Sequence, residues 1–271
     1  MKIIAEIGWN HMGDMDLAKV MINSAIDSGA NVVKFQYWNP EYLTQGDWDT
    51  DGRRQIYEKA ALDIERVTEL NSFVTNAGCE FLISVFGTYG ANDIHSIGLK
   101  NIKIPSHETT NLKLINFCAN NFEYVYFSAG ASLEKEVIDA VNILQRGSAE
   151  YELMHCVSSY PLPDERANLL RINWLKGLSP KVGLSDHTTS TIIPAFSVLQ
   201  GVSTIEKHFT TDHDLPGRDN KFALEPKEFK EMVDNISLAE SSISDFGNDY
   251  QDIESDTVNN YRGRWEPHDY E

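Results

Sequence analysis

The chain has 271 residues, 41% hydrophobic and 24% charged, ordinary proportions for a soluble globular protein. Its formal charge of −18 excludes nucleic acid and anionic membrane as partners, since phosphate surfaces are held by Lys/Arg stripes. A small anion stays admissible, because a few lysines can reverse the field inside one cleft.

The opening "MKIIAEIGWNHMGD" has an acidic residue within its apolar run and reads as no signal peptide. No run of about 18 apolar residues occurs, so the expected location is cytoplasmic, with no membrane span. Cys79, Cys118 and Cys156 have no CxxC spacing and read as reduced, mostly buried thiols.

Taken in chain order, eight short β-branched or aromatic runs read as strands. They are "KIIAEIG" (2–8), "NVVKFQY" (31–37), "EFLISVF" (80–86), "NIKIPS" (101–106), "EYVYFSAG" (123–130), "YELMHCV" (151–157), "KVGLS" (181–185) and "STIEKHF" (203–209). Amphipathic stretches lie between them. In "DMDLAKVMINSAIDSG", Leu17, Val20, Met21, Ala25 and Ile26 form the expected buried face, with Asp14 as N-cap and Gly29 as stop. "SLEKEVIDAVNILQRG" and "TSTIIPAFSVLQG" repeat that design, and "PKEFKEMVDNISLAE" (226–240) supplies a last helix opened by Pro226. This alternation predicts an α/β fold, a single-domain (β/α)8 TIM barrel over 1–246, followed by an acidic tail over 247–271 that is partly disordered. A doubly wound sheet is the rival, but the first strand lacks a GxGxxG turn. Segments 38–62 and 210–225 read as long loops on the catalytic face.

Polar residues gather at the strand C-termini: Glu6, Lys34, Gln36, Ser84, Lys103, Ser106, Ser128, His155, Ser158, Ser185 to His187, and Glu206 to His208. In a barrel these converge on one mouth, which places an active site there. His187 and His208 end neighbouring strands, which lie about 4.8 Å apart, so both imidazoles can reach one divalent ion in an open site. A Ser–His–Asp triad in "SDH" fails, because adjacent residues of an extended segment point to opposite faces. Asp186 is expected to orient a neighbour. Lys34 and Lys103 have two readings: ion pairs with Glu6 or Glu206, or a clamp for phosphate or carboxylate helped by Ser106, Ser128 and Ser185. Glu6 would then bind or activate water beside the anion.

The motifs "AEIGWNHMGD", "GANVVKFQ", "KIPSHE", "FSAG", "MHCVSSYPLP", "VGLSDHT", "IEKHFT" and "LPGRD" resemble, in order and spacing, the sialic acid synthase family over about residues 2 to 240. The resemblance implies metal-dependent condensation of phosphoenolpyruvate with an N-acetylmannosamine-like aldose to a 2-keto-3-deoxy sugar acid, releasing phosphate. It implies His187 and His208 as ligands of a divalent ion, Mn2+ first, with Mg2+ or Co2+ as alternatives. The phosphoenolpyruvate cradle would comprise Lys34, Lys103, Ser106, Ser128 and Ser185, with Gln36, Ser84, Glu108, Ser158 and Glu206 as further substrate-binding residues. Glu6 would stand beside the reacting centre, and Tyr160 and Asp219 would contact the acceptor sugar. A homodimer is the implied assembly.

The chain also departs from the family's pattern. Val85 and Ala129 stand where threonines are usual, Ser158 where an asparagine often sits, and Arg218 where proline is usual. Pro105 and His107 replace small residues. The family continues past a linker into an antifreeze-like domain that covers the partner's mouth with an arginine, whereas this sequence stops near that linker. The expectation is a changed acceptor, with Arg218, the long loops or another chain as the substitute cover. Two alternatives remain: a related synthase whose acceptor is non-acetylated or phosphorylated, and a non-catalytic barrel that binds a sugar or a protein. A phosphorylated acceptor would call on Arg53, Arg54 and Arg218.

Overall fold

The runs rich in Ile, Val, Phe and Tyr become parallel strands in a computed structural model, which describes residues 1–266. They are β1 (Lys2–Gly8), β2 (Val32–Tyr37), β3 (Glu80–Val85), β4 (Asn101–Ile104), β5 (Tyr124–Ala129), β6 (Glu150–Cys156), β7 (Val182–Asp186) and β8 (Thr204–His208). Each pairs with the next, and β8 pairs with β1, closing the barrel. All eight expected strands are present in the expected order, and the (β/α)8 architecture follows.

The helices are α1 (Met15–Asp27), α2 (Arg53–Ala60), α3 (Ile64–Asn76), α4 (Gly87–Ser96), α5 (Leu112–Asn121), α6 (Glu134–Leu144), α7 (Arg171–Lys176), α8 (Ile193–Val198), α9 (Pro226–Ser242) and α10 (Ser255–Asn260). Asp14 caps α1 by accepting from the Asp16 and Leu17 amides at 3.0 Å. Of the expected face of α1, Met21 and Ala25 are buried and Leu17 and Ile26 pack against the core, but Val20 is 57% exposed and the buried stripe is completed by Ala18 and Ile22. Small alanines at both ends of that stripe let the helix lie close to the sheet. α8 is shorter than its amphipathic stretch because the residues before it are drawn off: the Lys207 ammonium takes the carbonyls of Thr188 and Ser190.

Segment 38–62 is not a bare loop. It folds into two short turns and α2, and builds a small apolar cluster of its own around Met12, Trp38 and Ala60. From Ile243 onward the described residues are largely exposed, with one short turn and α10; part of the expected tail, 267–271, lies outside the described residues. Among the described residues no helix is long and apolar enough to cross a membrane. The three cysteines are free and buried.

Period-two alternation sorts every strand into an outward and an inward set. Outward side chains such as Val33, Phe35, Ile83 and Phe127 pack against the helices in the main core. Inward, Ile4, Val32, Leu82, Tyr126 and Met154 form a separate apolar plug. The next inward position on those strands, two residues on, carries Glu6, Lys34, Ser84, Ser128 and Cys156. The lumen is therefore a dry plug with a polar layer above it, at the C-terminal end where barrel enzymes hold their sites.

Candidate active site

The polar layer is a network of buried charges. Lys34 Nζ lies 2.8 Å from Glu6 Oε2 and 3.6 Å from Glu206 Oε1, and donates to Ser84 Oγ at 2.8 Å. Lys103 Nζ donates to Glu206 Oε2 at 2.8 Å and lies 3.1 Å from the Met154 sulfur. Ser185 Oγ donates to the other Glu206 oxygen at 3.0 Å, and Gln36 Nε2 donates to Glu6 Oε1 at 2.6 Å. β1 ends on Gly8 at φ +58°, where a Cβ would stand 3.0 Å from Glu6 Oε1 and 3.1 Å from Gln36 Nε2. Only glycine leaves room for that pair at this backbone angle.

Two ammoniums face two carboxylates, so the ion-pair reading of the lysines holds. Both lysines nevertheless line the cavity above them. Burial alone would raise the Glu206 pKa, but Lys103 and Lys34 overturn that and hold it well below the carboxylate range. Burial raises the Glu6 pKa in spite of Lys34, and burial lowers that of Lys103.

Above this layer sit the two histidines, with ring centroids 5.4 Å apart. His187 Nδ1 lies 2.9 Å from the Val157 carbonyl, so it carries the proton and leaves the Nε2 lone pair available. Burial lowers the His208 pKa well below that of free imidazole, so its ring is neutral. Its Nδ1 is buried without a hydrogen-bond partner, 3.7 Å from Asp219 Oδ2. Burial alone would lower the His187 pKa, but Cys156 and the Val157 carbonyl overturn that and raise it; two imidazoles at one mouth fit a borderline divalent ion. Among the described residues no group of three or more His, Cys, Asp or Glu side chains forms a closed cage, so the other positions would fall to water and substrate oxygens. The Tyr160 ring packs 4.2 Å from His187, and Phe222 packs 5.1 Å from His208.

These side chains open on one cavity of about 830 Å³, lined also by Gln36, Ser84, Ser106, Glu108, Ser128 and Asp219. Ser158 stands one step back, with its hydroxyl 2.7 Å from that of Ser106. Two strand-end residues turn away. His155 points outward, its Nε2 2.8 Å from the Ala167 carbonyl. Asp186 also points outward and accepts from Lys207 Nζ at 2.5 Å and from the Thr188 hydroxyl at 2.7 Å, so what it orients is the β7–α8 turn. Val85 and Ala129, the two missing hydroxyls, lie in the main core between sheet and helices.

Sequence reasoning missed the aromatic wall of the cavity. Trp9 and Trp38 directly follow β1 and β2, and α2 brings Tyr57 onto Trp9 with ring centroids 5.1 Å apart. Phe86 meets Trp38 edge-on at 5.9 Å and stacks on His107 at 5.2 Å, extending the same wall. Position just after a barrel strand could have flagged the tryptophans; nothing local in the sequence marks Tyr57.

Residues 21–247 match the model of the NeuB family. The N,N'-diacetyllegionaminic acid synthase of Campylobacter jejuni is 34% identical over 258 residues, which cover 90% of this chain and 77% of that one. The pseudaminic acid synthase of Helicobacter pylori is 32% identical over 248 residues, 87% of this chain and 73% of that one. The crystal structure of an N-acetylneuraminic acid synthetase from Leptospira borgpetersenii in complex with citrate matches with a TM-score of 0.87 at 31% identity, over 94% of this chain and 89% of that one. Sequence and barrel geometry agree: the chain belongs to the NeuB family of sugar-acid synthases.

Proposed function

We propose that the enzyme condenses phosphoenolpyruvate with an N-acetylmannosamine-like aldose to a sialic-acid-type 2-keto-3-deoxy acid, releasing phosphate. One observation carries this reading. The buried Glu6–Lys34–Glu206–Lys103 layer and the His187–His208 pair face the same cavity, so charge for an anion and nitrogens for a cation serve one reaction space.

Lys34 and Lys103 bind the phosphate and carboxylate of phosphoenolpyruvate, with Ser106, Ser128 and Ser185 as hydroxyl partners. A divalent ion held by His187 and His208 would polarise the acceptor's carbonyl oxygen. C3 of the enol attacks that carbonyl carbon, and the electron deficit left at C2 is stabilised by the Glu6 and Glu206 carboxylates. Water then adds at C2 and Glu6, its pKa raised by burial, takes the proton. The tetrahedral intermediate expels phosphate toward the lysines as its C2 hydroxyl becomes the ketone, and that proton leaves with the phosphate. The proton held by Glu6 passes to the acceptor's former carbonyl oxygen. Tyr160 and Asp219, at the mouth, meet the acceptor.

An unphosphorylated acceptor fits the rim better. Arg53 is already paired with Asp51 at 2.6 Å, and Arg54 is paired with Asp49, leaving Arg218 as the remaining arginine of the long loops. Calorimetry tests the first step: phosphoenolpyruvate should bind the wild type and lose about two orders of magnitude in affinity in Lys103→Met. Equal affinity in both would refute the anion layer.

A further inference from the structure

We infer that Trp9 is a positioning residue, which holds the Asp219 carboxylate against Nδ1 of His208 and so fixes the tautomer of that ring. The inference rests on the reading of His208 as a metal ligand, but its first test does not need the metal.

Trp9 and Asp219 come from opposite ends of the chain, and the indole Nε1–H donates to Asp219 Oδ2 at 2.6 Å. The same oxygen lies 3.7 Å from His208 Nδ1, which is buried and makes no hydrogen bond. Among the described residues the indole is the sole hydrogen-bond donor to that carboxylate. Its own position is fixed: the ring stacks on Tyr57 at 5.1 Å and meets Trp38 edge-on at 5.9 Å. The loop behind Asp219 is tied to the same turn, since Asn220 Nδ2 donates to the Asn10 carbonyl at 3.2 Å and its Oδ1 accepts from Thr210 at 2.6 Å. Asp219 is thus pinned from both sides.

A buried ring nitrogen without a partner is costly, and a small approach by the Asp219 carboxylate, 3.7 Å away, would relieve it. With the proton on Nδ1 facing Asp219, the lone pair rests on Nε2. His187 reaches the same state through the Val157 carbonyl at 2.9 Å. Two rings thereby gain the same polarity from two different acceptors, one backbone and rigid, the other a side chain that depends on Trp9. Outer partners of this kind typically change metal affinity 10–100-fold.

The test uses nitrogen NMR of the full chain labelled at histidine, without metal, on wild type, Trp9→Phe and Asp219→Asn. Wild-type His208 should be protonated at Nδ1, and both variants should move it toward the Nε2-protonated form. Mn2+ titration followed by electron paramagnetic resonance should show affinity roughly 10-fold weaker in each single variant, and no weaker again in the double variant, because Trp9 acts through Asp219. An Nε2 proton in wild type, an unchanged tautomer in Trp9→Phe, or additive losses in the double variant would overturn the inference. If Trp9→Phe does not fold, Asp219→Asn and the wild-type tautomer still decide it. Failure of wild type to bind Mn2+, with the tautomer as expected, would instead count against the metal reading.

Discussion

Strands β7 and β8 take part in two buried lysine–carboxylate assemblies, one facing out and one facing in, the inner lysine coming from β4. Outward, Lys207 Nζ spends its donors on Asp186 and the Thr188 carbonyl at 2.5 Å each and on the Ser190 carbonyl at 3.0 Å. An ammonium has three donors, so that site is closed. Inward, Glu206 receives Lys103 and Ser185, and Lys103 is left with one carboxylate, a thioether sulfur and the cavity. Both clusters are buried and charged, yet only the inner one keeps donor capacity for an incoming anion. A buried ion pair alone does not identify a site; an unspent donor beside open volume does.

Four variants would sharpen or break that contrast. Lys207→Ala should be the most damaging to folding, losing roughly 3–5 kcal/mol in urea unfolding, since it strands Asp186 and empties the turn before α8. Lys103→Met should lower kcat/KM by about 10²–10³ while costing less stability, because Glu206 keeps Ser185 at 3.0 Å and Lys34 at 3.6 Å. If the two variants exchange these phenotypes, the contrast is wrong.

His11, buried behind β1, should set an acid limit. Burial, with Arg66 adding to it, lowers its pKa from 6.5 to about 4, so the unfolded chain takes up a proton that the folded chain refuses. Stability is then full above pH 6.5 and falls by about 3 kcal/mol toward pH 4. His11→Phe should flatten that part of a urea-midpoint profile. An unchanged slope would show that other groups carry it. Lys135→Ala, which removes an exposed i,i+4 pair with Asp139, should change stability by no more than about 0.5 kcal/mol. A larger loss would mean that surface pairs rival the buried ones.

Much of this was legible in the sequence because a barrel strand reports its faces by parity. Ser185 and His187 share a face, as do Glu206 and His208, and the pairing of Ser185 with Glu206 and of Glu6 with His208 joins them across strands. Asp186 and Lys207 are one residue out of phase and so pair outside. Less legible was anything that depends on how a long connection folds back. α2 carries no marker that it returns to the mouth, so Tyr57 and its stack on Trp9 were invisible. On α1 only Val20 was misplaced, because periodicity leaves neighbouring stripes nearly equivalent and the buried stripe runs through Ala18 and Ile22 instead.

The central claim is tested most directly by phosphate release from phosphoenolpyruvate across a panel of unphosphorylated and phosphorylated aldoses, with Mn2+ or a chelator, on wild type and His187→Ala. The account predicts turnover with an unphosphorylated N-acetylated or related aldose, abolished by chelation and by the substitution. Turnover indifferent to the chelator, or no turnover with any aldose together with no binding of phosphoenolpyruvate, would contradict it.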